Sequence, residues 1–348
     1  MALMMHGAVQ AQPGKRLVTM DAPAIPDKEG FAGMFAGVSH NTLIAAGGAN
    51  FPDKRPWEGG VKKWYDGVFL LHKDGRQWIK AAARLPVPLA YGAYGSYGNK
   101  MILAGGSNQN GHRRDVYALS VKGNNDVMVE VLAPMPCSLA NMAGAIVDDL
   151  FFIAGGSQTP EGAPLKIFWA LDIKRNRWVE LPSWPGEARI NAVAAGFDHR
   201  FFLFSGIQVL DTGAGKKRRV LEDGYCFVPE YRNGMLSGGC WKAVASMPRG
   251  VAAGPGPAPV FKKRYLLFPG GLDQQTAQHA DPVTHPGFIP EVLAYDIKQD
   301  QWTVFDRLPK NEMRLTAPAV EWISRCWIIN GEVRPGIRSN KVLSFKLE

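Results

Sequence analysis

The 348-residue chain is 46% hydrophobic, with ten tryptophans and seventeen phenylalanines, so it can bury a sizeable core and is neither disordered nor fibrous. Forty lysines and arginines against thirty-one acids leave a formal charge of +9, which favours an anionic ligand without the aromatic-interleaved basic motifs of a nucleic-acid binder. No apolar run approaches the ~20 residues that a membrane helix needs.

At the start, Ala2 to Gln12 lacks a basic n-region and a full apolar segment, yet Ala8-Val9-Gln10-Ala11 ends like a cleavage site. Residues 1–14 therefore read as the remnant of a signal peptide or a disordered arm, and a periplasmic or secreted location is expected. From Lys15 to Met20 the chain reads as a strand, closed by Ala22-Pro23.

A short apolar run ending in a glycine step then recurs. It appears as Leu43 to Gly48, Ile102 to Gly106, Phe152 to Gly156, Phe202 to Gly206, Leu266 to Gly271 and Trp327 to Gly331. The final glycines are 58, 50, 50, 65 and 60 residues apart, near the ~50-residue kelch period. Alternating segments such as Asp115-Val116-Tyr117-Ala118-Leu119 and Val292-Leu293-Ala294-Tyr295-Asp296 follow, with the period of a half-buried strand. Tryptophan and then a proline turn close most units: Trp78 with Leu85-Pro86, Trp178 with Leu181-Pro182, Trp241 with Met247-Pro248, Trp302 with Leu308-Pro309. Each unit predicts four antiparallel strands, a to d. The chain is expected to be all-β, with residues 15–348 forming one six-bladed kelch-type propeller. Lys341 to Leu347 is a third strand with no fourth after it, so the N-terminal strand completes the last blade and leaves no open edge.

In such a ring the b–c loops and the d–a connections share one face. The long insertions Ala49 to Lys63, Gln208 to Arg219 and Leu272 to Pro290 lie there, where functional loops concentrate. Basic residues exceed acids on this face. Arg189, Arg249 and Arg314 in the d–a connections and Asn50, Lys63 and Asn108 in the b–c loops are the candidates for binding an anion. The sharpest motif is Asn330-Gly331-Glu332-Val333-Arg334-Pro335-Gly336-Ile337-Arg338, a strand end and a Pro-Gly turn that can hold Glu332 beside Arg338. Arginine grips carboxylates through paired hydrogen bonds and glutamate passes protons; an ordinary loop salt bridge has the same spacing.

This segment, with Trp327-Ile328-Ile329 before it, resembles the catalytic hairpin of the bacterial N-acetylneuraminate epimerases, or sialic acid mutarotases. Phe35 to Phe51, continuing to Glu58 and Lys62-Lys63, resembles another blade of that family. The order of the two segments is that of a cyclically permuted form, with the family's chain junction running through Val129 to Pro134. The resemblance implies a six-bladed kelch propeller and an isomerase that interconverts the α and β anomers of N-acetylneuraminate, with Glu332 and Arg338 as the catalytic pair and no cofactor. Ser107 stands where family members can carry an acid, and the Leu272 to Pro290 loop differs, so another acidic or N-acylated sugar is the alternative substrate.

Other chemistries fit less well. Copper-radical sugar oxidases share the architecture but need a cysteine-linked tyrosine with histidine ligands, and the seven histidines here are scattered. His279, Asp281 and His285 share an irregular loop without metal-site spacing. The glycine pairs end strands and open no helix, unlike a dinucleotide fingerprint. Cys226 and Cys240 are placed to pair across a c–d hairpin, while Cys137 and Cys326 have no evident partner. A non-catalytic sugar-binding or protein-interaction module is the alternative function, with protein partners undefined; a central carboxylate argues for proton transfer.

Overall fold

The computed structural model describes residues 17–213 and 215–347, so the expected N-terminal remnant lies outside the described residues. Six four-stranded antiparallel sheets form the blades of a propeller. Blade one is Phe35–Ser39, Thr42–Ala46, Gly67–His72 and Ile79–Arg84. Blade two is Ala93–Tyr97, Lys100–Ala104, Val116–Lys122 and Asp126–Val131. Blade three is Ala143–Val147, Leu150–Ala154, Phe168–Asp172 and Arg177–Glu180. Blade four is Val193–Phe197, Arg200–Phe204, Gly224–Arg232 and Met235–Val244. Blade five is Val260–Phe261, Tyr265–Pro269, Glu291–Asp296 and Gln301–Arg307. Blade six is Ala319–Trp322, Arg325–Ile329 and Val342–Lys346, completed by Thr19–Met20 from the start of the chain. The closing pairs are Thr19 with Phe345 and Met20 with Ser344.

Strand b is buried on both faces because blades stack on either side of it, which explains why it reads as an unbroken apolar run. Between blades three and four, Phe152, Phe168, Phe201, Phe227 and Trp241 pack ring on ring. The recurrent strand-d tryptophans staple blade to blade. The indole N–H of Trp78 donates to Pro23 O, that of Trp178 to Ala133 O, that of Trp241 to Pro182 O and that of Trp302 to Ala245 O, at 2.7 to 2.9 Å. Each acceptor lies just beyond strand d of the preceding blade.

The glycine steps have a conformational cause. Both residues of each step take positive φ, from Gly47 and Gly48 in blade one to Asn330 and Gly331 in blade six, a region open chiefly to glycine and, at the first position, to asparagine or serine. The step turns the chain off strand b, and the next residue pairs with the d–a connection: Ala49 with Ala32, Ser107 with Ala90, Ser157 with Ala140, Ile207 with Ile190, Leu272 with Ala252, Glu332 with Leu315.

The residue after each d–a partner joins a closed ring of backbone hydrogen bonds around the axis. Gly33 N–H donates to Thr316 O, Thr316 to Ala253, Ala253 to Asn191, Asn191 to Asn141, Asn141 to Tyr91 and Tyr91 back to Gly33, at 2.7 to 2.9 Å. All six have positive φ. This ring floors the face that carries the b–c loops.

The four cysteines are free. Register explains why Cys226 and Cys240 do not bridge: Cys240 lies opposite Val228 and Cys226 opposite Lys242, and diagonal partners stand beyond disulfide reach.

Candidate active site

Glu332 and Arg338 face each other across a two-stranded hairpin, Glu332–Arg334 with Ile337–Arg338. Directly opposed residues project to the same face of a ladder, and Arg338 Nη2 approaches Glu332 Oε1 to 3.1 Å. The Gly336 amide points at Glu332 Oε2 from 3.4 Å. Arg338 is 8% exposed; its guanidinium lies 4.7 Å from the centre of the Phe51 ring, and its Nε and Nη1 find no acceptor among the described residues. The backbone bridge between Glu332 and Leu315 ties the start of this hairpin to the residue before Thr316 of the axial ring.

Neighbouring loops support this hairpin. Pro56 and Trp57, in a 3-10 turn of the blade-one insertion, lie so close to Gly336 that a Cβ there would stand 2.9 Å from each. Arg55, at the head of that turn, pairs with Glu29 at 3.0 Å. On the other side Arg334 donates to His285 O at 2.7 Å. His285 is itself a structural hub of the blade-five loop: Nδ1 accepts from the Gly287 amide and Nε2 donates to Thr276 O. Burial pushes its pKa down, in keeping with that neutral tautomer. No group of three or more His, Cys, Asp or Glu among the described residues is arranged to hold a metal.

The remaining expected site residues are held elsewhere. Arg189 is fully buried and all its nitrogens are engaged: Nη1 and Nη2 clasp Asp223 at 2.7 and 2.8 Å, Nη1 also reaches Ser205 O, and Nε reaches Glu187 O. Arg249 likewise donates to Gly250 O, Gly270 O, Glu291 O and the Glu291 carboxylate. Arg314 caps Asn311 O and Met313 O, and burial lowers its pKa to about 10. Arg189 and Arg249 thus tie neighbouring segments of the fold together, whereas Arg314 bonds within its own d–a connection and its buried Nε finds no partner among the described residues. Asn50 donates to Gly30 O and accepts from the Tyr65 hydroxyl; Asn108 closes a turn on the Asn110 amide. Lys63 is exposed, with its ammonium 5.3 Å from the Tyr65 ring centre.

A second cluster at the mouth of the axis groups Lys62 and His112, basic residues of this face in the sequence, with Tyr91 and Trp64, which the sequence reading did not single out. Lys62 Nζ stands 4.2 Å from the ring centre of Tyr91 and 5.1 Å from that of Trp64. The Trp64 indole reaches Ser107 Oγ at 3.4 Å, and His112 Nε2 lies 3.3 Å from Ser157 Oγ. Burial, and then the Lys62 charge, hold the His112 pKa below the usual imidazole value. The only sequence signal for Tyr91 is its place just ahead of strand a. Tyr91, Asn141, Asn191 and Thr316 line an axial cavity of about 90 Å³, closed below by the Tyr94 hydroxyl donating to Gly256 O at 2.6 Å. Ligand pockets run to about 300–1,000 Å³, so this cavity alone is smaller than an ordinary ligand pocket.

Residues 5–129 match the family model of N-acetylneuraminate epimerase. The chain is 37% identical over 99 residues to the N-acetylneuraminate epimerase of Salmonella enteritidis PT4, covering 26% of this chain and 25% of the relative. With that of Yersinia pestis it is 35% identical over 120 residues, 31% and 29% of the two chains. The chain thus aligns with about a quarter of the length of these curated relatives, and the Asn330 to Arg338 hairpin lies outside the family-model match. The solved structure of YjhT superposes with a TM-score of 0.67 at 14% identity, over 92% of this chain and 95% of that one. Over its first third this chain is therefore similar in sequence to N-acetylneuraminate epimerases, and over nearly its whole length it shares the fold of YjhT.

Proposed function

We propose that the protein is a mutarotase that interconverts the α and β anomers of N-acetylneuraminate on a kelch-type propeller. The observation that carries this reading is the Glu332–Arg338 pair, a carboxylate held by one buried guanidinium at the rim of the axial ring. The similarity of residues 5–129 to N-acetylneuraminate epimerases and the +9 charge support the choice of an acidic sugar.

The anomeric carbon of this sugar bears a carboxylate and no hydrogen, so its configuration cannot invert by loss of a carbon-bound proton. The ring has to open. Glu332 takes the proton of the anomeric hydroxyl, the oxygen's electrons form a ketone, and the bond from the anomeric carbon to the ring oxygen breaks. The ring oxygen takes up the proton that the Glu332 carboxyl returns. Reclosure on the other face of the ketone reverses these steps and yields the second anomer. Arg338, fixed 3.1 Å from Glu332, keeps the carboxylate aimed.

Proton NMR of freshly released α-N-acetylneuraminate tests the reading. Wild type is expected to reach the β-rich equilibrium well before the uncatalysed sample, and Glu332→Gln to follow the spontaneous rate. A Glu332→Gln protein with full activity removes Glu332 as the proton carrier; an inert wild type points to a binding module or another sugar.

A further inference from the structure

Resting on that reading, we propose that Lys62, rather than Arg338, is the cation that receives the carboxylate of the acidic sugar, making it the residue that sets specificity for an acid. Arg338 is poorly placed for that task. Its Nη2 already serves Glu332, its other nitrogens are closed off from solvent, and Phe51 covers its guanidinium.

Lys62 has the complementary properties. Its ammonium rests against the faces of Tyr91 and Trp64, contacts that fix a cation while leaving its N–H donors free. Among the described residues it forms no ion pair, whereas Arg55 is paired with Glu29 and Arg113 with Asp115. The side chain is half-buried, so its charge is less screened than that of a fully solvated lysine. Its location is also fixed. Tyr91 lines the axial cavity and bonds to Gly33 of the axial ring, and Gly33 bonds in turn to Thr316, the residue beside the Glu332 bridge. The Tyr91 ring leans over Gly33, where a Cβ would meet it at 2.6 Å, so the platform carrying Lys62 is seated on the axial ring. Lys63, the next residue, sits out on Tyr65 and faces solvent.

The test separates charge recognition from turnover. Isothermal titration measures binding of the methyl α-glycoside of N-acetylneuraminate, which cannot open its ring, and of its neutral C1 carboxamide. Wild type is expected to favour the acid by about tenfold or more, the worth of one charge-assisted contact. Lys62→Met should abolish that preference by weakening the acid and leaving the amide unchanged; Lys62→Arg should keep part of it, and Arg338→Lys should keep it in full. An unchanged acid-to-amide ratio in Lys62→Met, or a wild type that does not bind the acid more tightly than the amide, overturns the assignment. Because neither probe mutarotates, an intact Lys62-dependent preference in a protein that leaves the free sugar's anomers untouched overturns only the mutarotase reading.

Discussion

Arg189 and Arg338 are both buried, yet the sets of atoms around them differ in kind. Arg189 has every nitrogen engaged and is clamped by a bidentate carboxylate, whereas Arg338 offers one nitrogen to Glu332. The first arrangement predicts stability and the second geometry. Burial by itself raises the Asp223 pKa, but the Arg189 bonds outweigh it and hold the value below the ordinary carboxylate range. A depressed folded-state pKa contributes stability that is present above the unfolded value, about 4, and is lost as pH falls through the folded one. Thermal unfolding of wild type between pH 6 and pH 3 should show that loss on the acid side, and Asp223→Asn should be less stable at pH 6 with a flatter acid limb. Arg338→Lys keeps the charge but not the planar fork, so kcat for mutarotation should fall roughly ten- to a hundredfold with little change in thermal stability. Anomer-exchange NMR reads the first quantity and calorimetry the second. In the sequence these arginines look alike, because nothing local reveals that Asp223 lies 34 residues from Arg189 and clasps it. The sequence pointed to Lys63 rather than Lys62; only the pairing of Lys63 with Asn50 and of Trp64 with Ala49 determines which ammonium turns to Tyr91.

At the scale of elements, the candidate site is a contact between two loops that are far apart in sequence. The blade-one insertion and the blade-six hairpin meet because Thr19 and Met20 close blade six beside blade one, which makes the two segments quoted for the family resemblance a single wall. Gly336 is a point of close approach, with φ +73° and Pro56 and Trp57 against it. Gly336→Ala should therefore strain the turn by about 1–2 kcal/mol and push Trp57 away. Mutarotation should fall severalfold while the melting temperature moves by only a few degrees; equal losses in both would mean that the loop contact is structural alone. The blades themselves were legible because two successive positive φ angles demand glycine at nearly every step, and the exceptions Ser205 and Asn330 are residues with a side chain able to work there. Ser205 donates to Leu221 O and accepts from the Val251 amide. The tryptophans were legible as a repeat but not as staples, since each indole's acceptor belongs to the preceding blade. Trp302→Phe keeps the ring and deletes the bond to Ala245 O, for an expected cost of about 1 kcal/mol in urea denaturation.

For the whole molecule, stability depends on a ring with a single seam. Every blade is held to its neighbours by packed strand-b faces, and the axial ring of six backbone hydrogen bonds links all of them, so no blade can leave without opening that ring. Among the described residues the seam consists of two residue pairs, the Lys346 amide on Val18 O, the Leu17 amide on Asp306, and the burial of Leu17 among Leu308, Phe345 and Leu347. Removing the chain through Met20 exposes strand Val342–Lys346 along its outer edge and gives up the Leu17 contact, a loss of about 2 kcal/mol from apolar burial alone. A truncated protein should melt roughly 5 °C lower and, with an unpaired strand available to a second copy, should associate on concentration. Size-exclusion chromatography and calorimetry across a dilution series check both outcomes. The substitution Thr19→Pro separates the pairing from the packing, because it removes an N–H from the closing strand while Leu17 is retained. If that variant melts as wild type does and the truncation does not, the seam is held by the Leu17 contact and the ladder is incidental. If the two fall together, the strand pairing closes the ring, and Thr19 and Met20 reinforce the adjacency of blade one to blade six that the axial bond from Gly33 to Thr316 also holds.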